Sequence, residues 1–212
     1  MHELVILASI VGVFLLGAMS PGPSFIVVSR LAISGSRADG VMAAIGMGIG
    51  GFVFACIAVA GFTAILLQVE WLNAILRLAG GAYLVWLGIR IWRAAPEPIS
   101  IAESEKEGPA MPWRSLRLGL FVQLSNPKTA IFYASMFAAL LPSPTPEWML
   151  FALPPLLFLS EFFWFSIVAL AFSSRGPRAA YLHSKTWIDR AAGGVISALG
   201  TKLMVDSIRV SG

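Results

Sequence analysis

The sequence predicts an all-α polytopic membrane protein of six transmembrane helices, arranged as two inverted three-helix repeats, and three observations carry that prediction. Apolar residues make up 58% of the 212 and charged residues only 12%, with a mean hydropathy of +0.82, too little polar surface to cover a water-soluble globule. About six stretches are long and apolar enough to cross a hydrocarbon core of roughly 30 Å. No segment alternates apolar and polar positions as a barrel strand does, and where no water satisfies the backbone the spans are then helical. The whole chain, 1–212, reads as one transmembrane domain.

The spans fall at 4–28, 41–67, 71–92, 116–140, 148–172 and 191–208. The first is apolar from Leu4 onward behind Met1-His2-Glu3. That start lacks the basic residues of a cleavable signal peptide, so the span is expected to be retained. It is interrupted by Ser20-Pro21-Gly22-Pro23. The second span has no charge; Gly46 and Gly50 form a Gly-x-x-x-Gly, which Gly48, Gly51 and Gly61 extend into a face suited to close helix packing. The third runs between Trp71 and Trp92, the fourth is broken at Ser125-Asn126-Pro127-Lys128, the fifth carries Glu161, and the sixth ends near Asp206 and Arg209, a pair read as interfacial and solvated.

Loop charges orient the spans. Arg30 and Arg37; Arg90, Arg93, Lys106, Arg114 and Arg117; and Arg175, Arg178, Lys185 and Arg190 lie in the odd loops, eleven of the 15 basic residues. The positive-inside rule puts these loops in the cytoplasm and both termini outside. The net charge of +4 is thus a matter of topology, and no basic stripe suggests nucleic acid. Trp71, Trp92, Trp113, Trp148 and Trp187 sit near span ends, as interfacial anchors do. The third loop, with Pro96, Pro98, Pro109 and Pro112 among Glu97, Glu103, Glu105 and Glu107, reads as a solvated connector at 93–115 between halves at 1–92 and 116–212.

The halves share a pattern. Arg77-Leu78-Ala79-Gly80-Gly81 corresponds to Arg190-Ala191-Ala192-Gly193-Gly194, and Leu87-Gly88 with Arg90 corresponds, after a one-residue gap, to Leu199-Gly200 with Lys202. The proline breaks of the first and fourth spans also correspond. A repeat of three spans inserts its second copy upside down, the pseudo-symmetry that many secondary transporters use.

Proline within a span removes a backbone hydrogen bond and exposes polar backbone that must face protein or a watery cavity. Ser20 and Asn126 are expected N-caps, with Pro21 and Pro127 opening the continuing helices. A half-helix N-terminus inside the membrane favours an anion such as a carboxylate. Lys128 lies about 18 Å into the fourth span at 1.5 Å per residue, and Glu161 at a similar depth in the fifth, so both are read as functional intramembrane charges. The expected substrate site is therefore Ser20, Pro21, Gly22, Pro23, Asn126, Pro127, Lys128 and Glu161, with Lys128 able to pair with Glu161. Lys128 and the half-helix ends would hold a carboxylate, and Glu161 an ammonium or an exchanged proton.

An enzyme finds few tools here. His2 and His183 lie at a terminus and in a loop, and the one cysteine, Cys56, forms no paired-thiol site. No catalytic residue, cofactor or metal is expected. The expected partners are a small-molecule substrate, protons and the lipid bilayer, with a homo-oligomer left open.

Three segments together resemble the LysE/RhtB family of amino-acid exporters: Gly12 through Pro23, ending A-M-S-P-G-P; G-G-A-Y-L-V-W-L-G-I-R from Gly80 to Arg90; and N-P-K-T-A-I-F-Y from Asn126 to Tyr133. Spacing, length and the polar third loop fit over essentially the whole chain. The resemblance implies proton-driven efflux of amino acids or derivatives, such as lysine, threonine, homoserine or leucine, across the bacterial inner membrane. It carries over to Pro21, Gly22 and Pro23, and to Asn126, Pro127 and Lys128; Glu161 is matched by depth alone. Some relatives that export cationic amino acids have an acidic residue in the second span, and the uncharged span here tilts the expectation to a neutral amino acid. Export of a different solute on the same scaffold, a passive channel and a structural membrane subunit are the alternatives.

Overall fold

Residues 2–34, 36–66, 70–99, 111–142 and 145–210 are described in a computed structural model of the chain, and every secondary-structure element among them is helical. The helices are α1 (His2–Met19), α2 (Pro23–Ser34), α3 (Arg37–Leu66), α4 (Glu70–Ala94), α5 (Pro112–Leu124), α6 (Pro127–Leu140), α7 (Glu147–Phe172) and α8 (Arg175–Val210). Connector residues 100–110, with Glu103, Glu105, Lys106, Glu107 and Pro109, lie outside the described residues, as do the side chains of Trp71 and Arg209.

Three predicted spans each become one helix: 41–67 is α3, 71–92 is α4 and 148–172 is α7. The spans at 4–28 and 116–140 each become two helices, because Pro21 and Pro23 in one and Pro127 in the other interrupt the hydrogen-bond ladder. The first pair is bent by 63°. By length and apolarity, Arg37–Gly61, Ile75–Ala94 and Glu147–Phe172 can each cross a membrane, and α1 with α2 makes a fourth crossing if counted as one. Helices α5 and α6, of 13 and 14 residues, reach only about 20 Å each at 1.5 Å per residue.

The region 173–190, expected as a loop, is different. Only Ser173 and Ser174 separate α7 from α8, and α8 runs for 36 residues. Its first half is charged yet helical: Pro177 falls in the first turn, where its missing N–H costs nothing, and Arg178, Ala179, Ala180, Leu182 and Lys185 are good helix formers irrespective of any membrane.

Glycine sets how closely the helices approach. A Cβ on Gly46 would strike the backbone of Leu116 and Leu120, and one on Gly119 the backbone of Ala43, so α3 and α5 touch main chain to main chain. Between α4 and α8 the same holds twice in reciprocal fashion: Gly81 lies against the carbonyl of Gly200 and Gly200 against that of Gly81, while Gly88 and Gly193 face each other likewise. Small residues make such contacts possible in lipid, where packing substitutes for a hydrophobic driving force.

Two apolar clusters result. One joins Phe14, Leu84, Phe132, Met136 and Leu157; the other joins Phe25, Val28, Met47, Trp164 and Phe172. Helix α7 runs through both, and Glu161 falls at the seam between them. Large apolar side chains such as Ile57, Phe151 and Phe163 point outward, as lipid-facing residues do.

Candidate functional site

At the second break Asn126 is the N-cap of α6: its Oδ1 accepts from the Lys128 N–H at 3.1 Å, and Pro127 takes the first helical position, where a missing N–H costs nothing. The first break is built differently from the expectation. Helix α2 opens at Pro23, not Pro21, and the Ile26 N–H donates to the Gly22 carbonyl at 3.0 Å, so Gly22 holds the cap position. Ser20, released from capping, accepts from Lys128 Nζ at 3.3 Å. Gly22 lies close to the same ammonium; a Cβ there would sit 3.6 Å from Nζ. The two breaks therefore meet at Lys128, whose own carbonyl accepts from Tyr83 Oη at 3.3 Å.

Behind Lys128 runs a buried chain of polar groups. Asn126 Nδ2 donates to Ser24 Oγ at 3.3 Å, Ser24 Oγ to Gln123 Oε1 at 2.7 Å, and Gln123 Nε2 to Glu161 Oε2 at 2.7 Å. Tyr133 Oη donates to Glu161 Oε1 at 2.8 Å. Each carboxylate oxygen thus has a donor, the condition for keeping such a group among apolar side chains. The glycines of α3 make the room: a Cβ on Gly51 would lie 2.6 Å from Glu161 Oε2 and 2.7 Å from Tyr133 Oη, and one on Gly50 would lie 2.6 Å from Gln123 Cγ.

Two cavities share Ser20, Gly22, Asn126 and Lys128 in their walls. The inner chamber, about 40 Å³, also touches Phe14, Ser24, Gln123, Tyr133 and Glu161. That volume admits a few water molecules and nothing larger. The outer vestibule, about 620 Å³, is further lined by Pro21, Pro23, Tyr83, Arg90, Pro127 and Asp189, and its size suits a small organic molecule.

All eight expected site residues therefore line one cavity or the other. The expected Lys128 to Glu161 pairing is not among the contacts made by the described residues: the two charges share the chamber, but Ser20 takes the ammonium and Gln123 and Tyr133 take the carboxylate. Ser24, Gln123, Tyr83 and Tyr133 went unassigned in the sequence. Tyr133 closes the N-P-K-T-A-I-F-Y motif and Gln123 stands three residues before Asn126 in an apolar run, and those were the available signals.

Lys185, counted as a loop charge, is buried at the vestibule wall. It donates to the carbonyls of Ala94 and Ala95 at 3.3 and 3.0 Å and pairs with Asp189 at 2.9 Å, so its three protons are used and it caps the C-terminal end of α4. Among the described residues no three His, Cys, Asp or Glu side chains cluster as a metal site would require.

The family model described as LysE type translocator matches residues 15–207. The threonine efflux protein of Escherichia coli strain K12 is 32% identical over 207 residues, covering 95% of this chain and 98% of that protein. The threonine efflux protein of Salmonella typhi is 34% identical over 197 residues, 91% and 94% of the two chains. The homoserine/homoserine lactone efflux protein of Salmonella typhi is 37% identical over 75 residues, 34% of each chain. No solved structure matches the chain.

Proposed function

The chain belongs to the LysE type translocator family, and on that premise we propose that it is a secondary-active exporter of a neutral amino acid, coupled to protons, in the bacterial inner membrane. The observation that carries this reading is the position of Lys128 between a vestibule large enough for an amino acid and a chamber large enough only for water. In the vestibule, the Lys128 ammonium has one described partner, Ser20. Its remaining protons can meet a carboxylate, next to two half-helix N-termini that favour negative charge. A fixed cation in the wall of the vestibule gives a zwitterion a reason to leave the cytoplasm at this point.

Glu161 is out of a substrate's reach in this conformation and has both oxygens bonded. A proton, by contrast, can reach it through a few waters. We assign it the exchanged proton and not the substrate ammonium. The vestibule is walled by Arg90, Lys185 and Asp189, residues of the segments that positive-inside counting gives to the cytoplasm, so this conformation is read as inward-open with both termini outside.

Two inverted repeats fit the same reading. Glycines of the repeated segments in the third and sixth spans pack closely, Gly81 with Gly200 and Gly88 with Gly193, as antiparallel spans related by an axis in the membrane plane can. A six-span arrangement with the first and fourth spans broken would let the repeats rock about Lys128.

The test is efflux from cells loaded with a threonine dipeptide. Overexpression of the chain should speed threonine release, and an uncoupler should abolish release against a gradient. Release indifferent to the uncoupler would make the protein a channel. If neither threonine nor any other neutral amino acid leaves faster, amino-acid export is wrong.

A further inference from the structure

Glu161 is given to the proton in the reading above, which leaves a zwitterion's ammonium without a partner. The vestibule is lined by two carboxylates, Glu97, which is exposed to solvent, and Asp189, which is in an unusual state. Asp189, on the first half of α8, is 2% exposed and lines the vestibule with Lys128. Its Oδ2 is held by Lys185. Its Oδ1 is buried with no hydrogen-bond partner, and it is the one such orphan atom among the described residues whose side chain lines either cavity. A buried carboxylate oxygen without a donor carries a desolvation cost that a native structure rarely leaves uncompensated.

Lys185 cannot supply the missing bond, because its three protons already serve Ala94, Ala95 and Oδ2. Lys128 lines the same vestibule, yet its hydrogen bond goes to Ser20. The vestibule wall thus holds an ammonium with protons to spare and, beneath its surface, a carboxylate with an oxygen to spare. We infer that Asp189 is the site for the substrate's α-ammonium group, so that an amino acid lies between Lys128, which takes its carboxylate, and Asp189.

This assignment rests on the proposed function and makes Asp189 a selectivity device. A site built to pair a substrate N–H group rejects the analogue that lacks it, because the site's own polar group then stays unpaired. Lys185 positions Asp189 by fixing Oδ2.

The experiment is binding to the full-length protein in detergent, with two probes: L-threonine and 3-hydroxybutyrate, which lacks any donor at the amino position. Wild type should bind threonine the more tightly. Asp189→Asn should weaken threonine binding about tenfold or more, the worth of one charge-assisted bond, without weakening 3-hydroxybutyrate binding. Asp189→Glu should restore part of the preference, and thermal melting of both variants establishes that they fold. Wild type that binds threonine, with Asp189→Asn retaining the full preference or weakening both probes equally, overturns the ammonium site alone. Folded wild type that binds no neutral amino acid overturns the proposed function, and this inference with it.

Discussion

The chamber behind Lys128 and the vestibule in front of it each hold one buried carboxylate, the vestibule's Glu97 being exposed, and the two buried groups are kept in opposite ways. Glu161 receives one donor on each oxygen, from Gln123 and Tyr133, and has only room for water beside it. Asp189 has one oxygen on Lys185 and the other unpartnered, beside a space of about 620 Å³. A saturated carboxylate in a small chamber is suited to gaining and losing a proton, whereas a half-paired one in a large cavity is suited to a ligand. Lys128 stands where the two meet, in the walls of both.

The contrast can be broken first at Lys128. Replacing it with Met removes the cation that both sides share; the loss of a buried charge-assisted contact, about 2–5 kcal/mol, should lower threonine binding by roughly thirtyfold to more than a thousandfold. Retained binding would mean that the carboxylate sits elsewhere. The next largest effect is on stability. Gly51→Val would drive a side chain into Glu161 and Tyr133, an overpacking cost of about 1–3 kcal/mol, visible as a lower melting temperature in detergent than for Gly61→Val, whose Cβ position is open. Tyr133→Phe deletes one of the two bonds to Glu161 and should cost about 1–2 kcal/mol, with vestibule binding of threonine left alone. Ser20→Ala should act least, freeing Lys128 from its one described partner and changing threonine affinity by only a few fold, about 0.5–1 kcal/mol.

The breaks were legible in the sequence because proline's missing N–H acts wherever it stands, so Pro21, Pro23 and Pro127 announced interrupted spans without any tertiary information. Which of two prolines would start the helix was not legible. Either proline suits a first helical position, and that the start at Pro23 leaves Gly22 beside Lys128, 106 residues away in sequence, is visible only in the folded chain. Lys128 and Glu161 stood out because charge is rare in a span. Ser24 and Gln123 did not, since neutral polar residues in a glycine-rich membrane chain carry no such contrast and their role exists only through each other. Lys185 was read as a loop charge, and Asp189 beside it went unassigned, because hydropathy ends a span where charge begins, although a helix can continue unaffected by that change. The glycine face of the second span was seen as a packing surface, and for Gly46 that was sufficient, whereas Gly81 and Gly88 were read as marks of a repeat and their close packing was not seen. That Gly50 and Gly51 clear space for Gln123 and Glu161 needed the neighbouring helices in place.

The most direct measurement of the division of labour between the two cavities is transport by Glu161→Gln in proteoliposomes, assayed as threonine exchange and as net threonine movement driven by an imposed pH gradient. The account predicts that exchange continues near the wild-type rate, because the vestibule is intact, and that the pH gradient no longer drives net movement. Net movement still driven by the gradient in Glu161→Gln would contradict it.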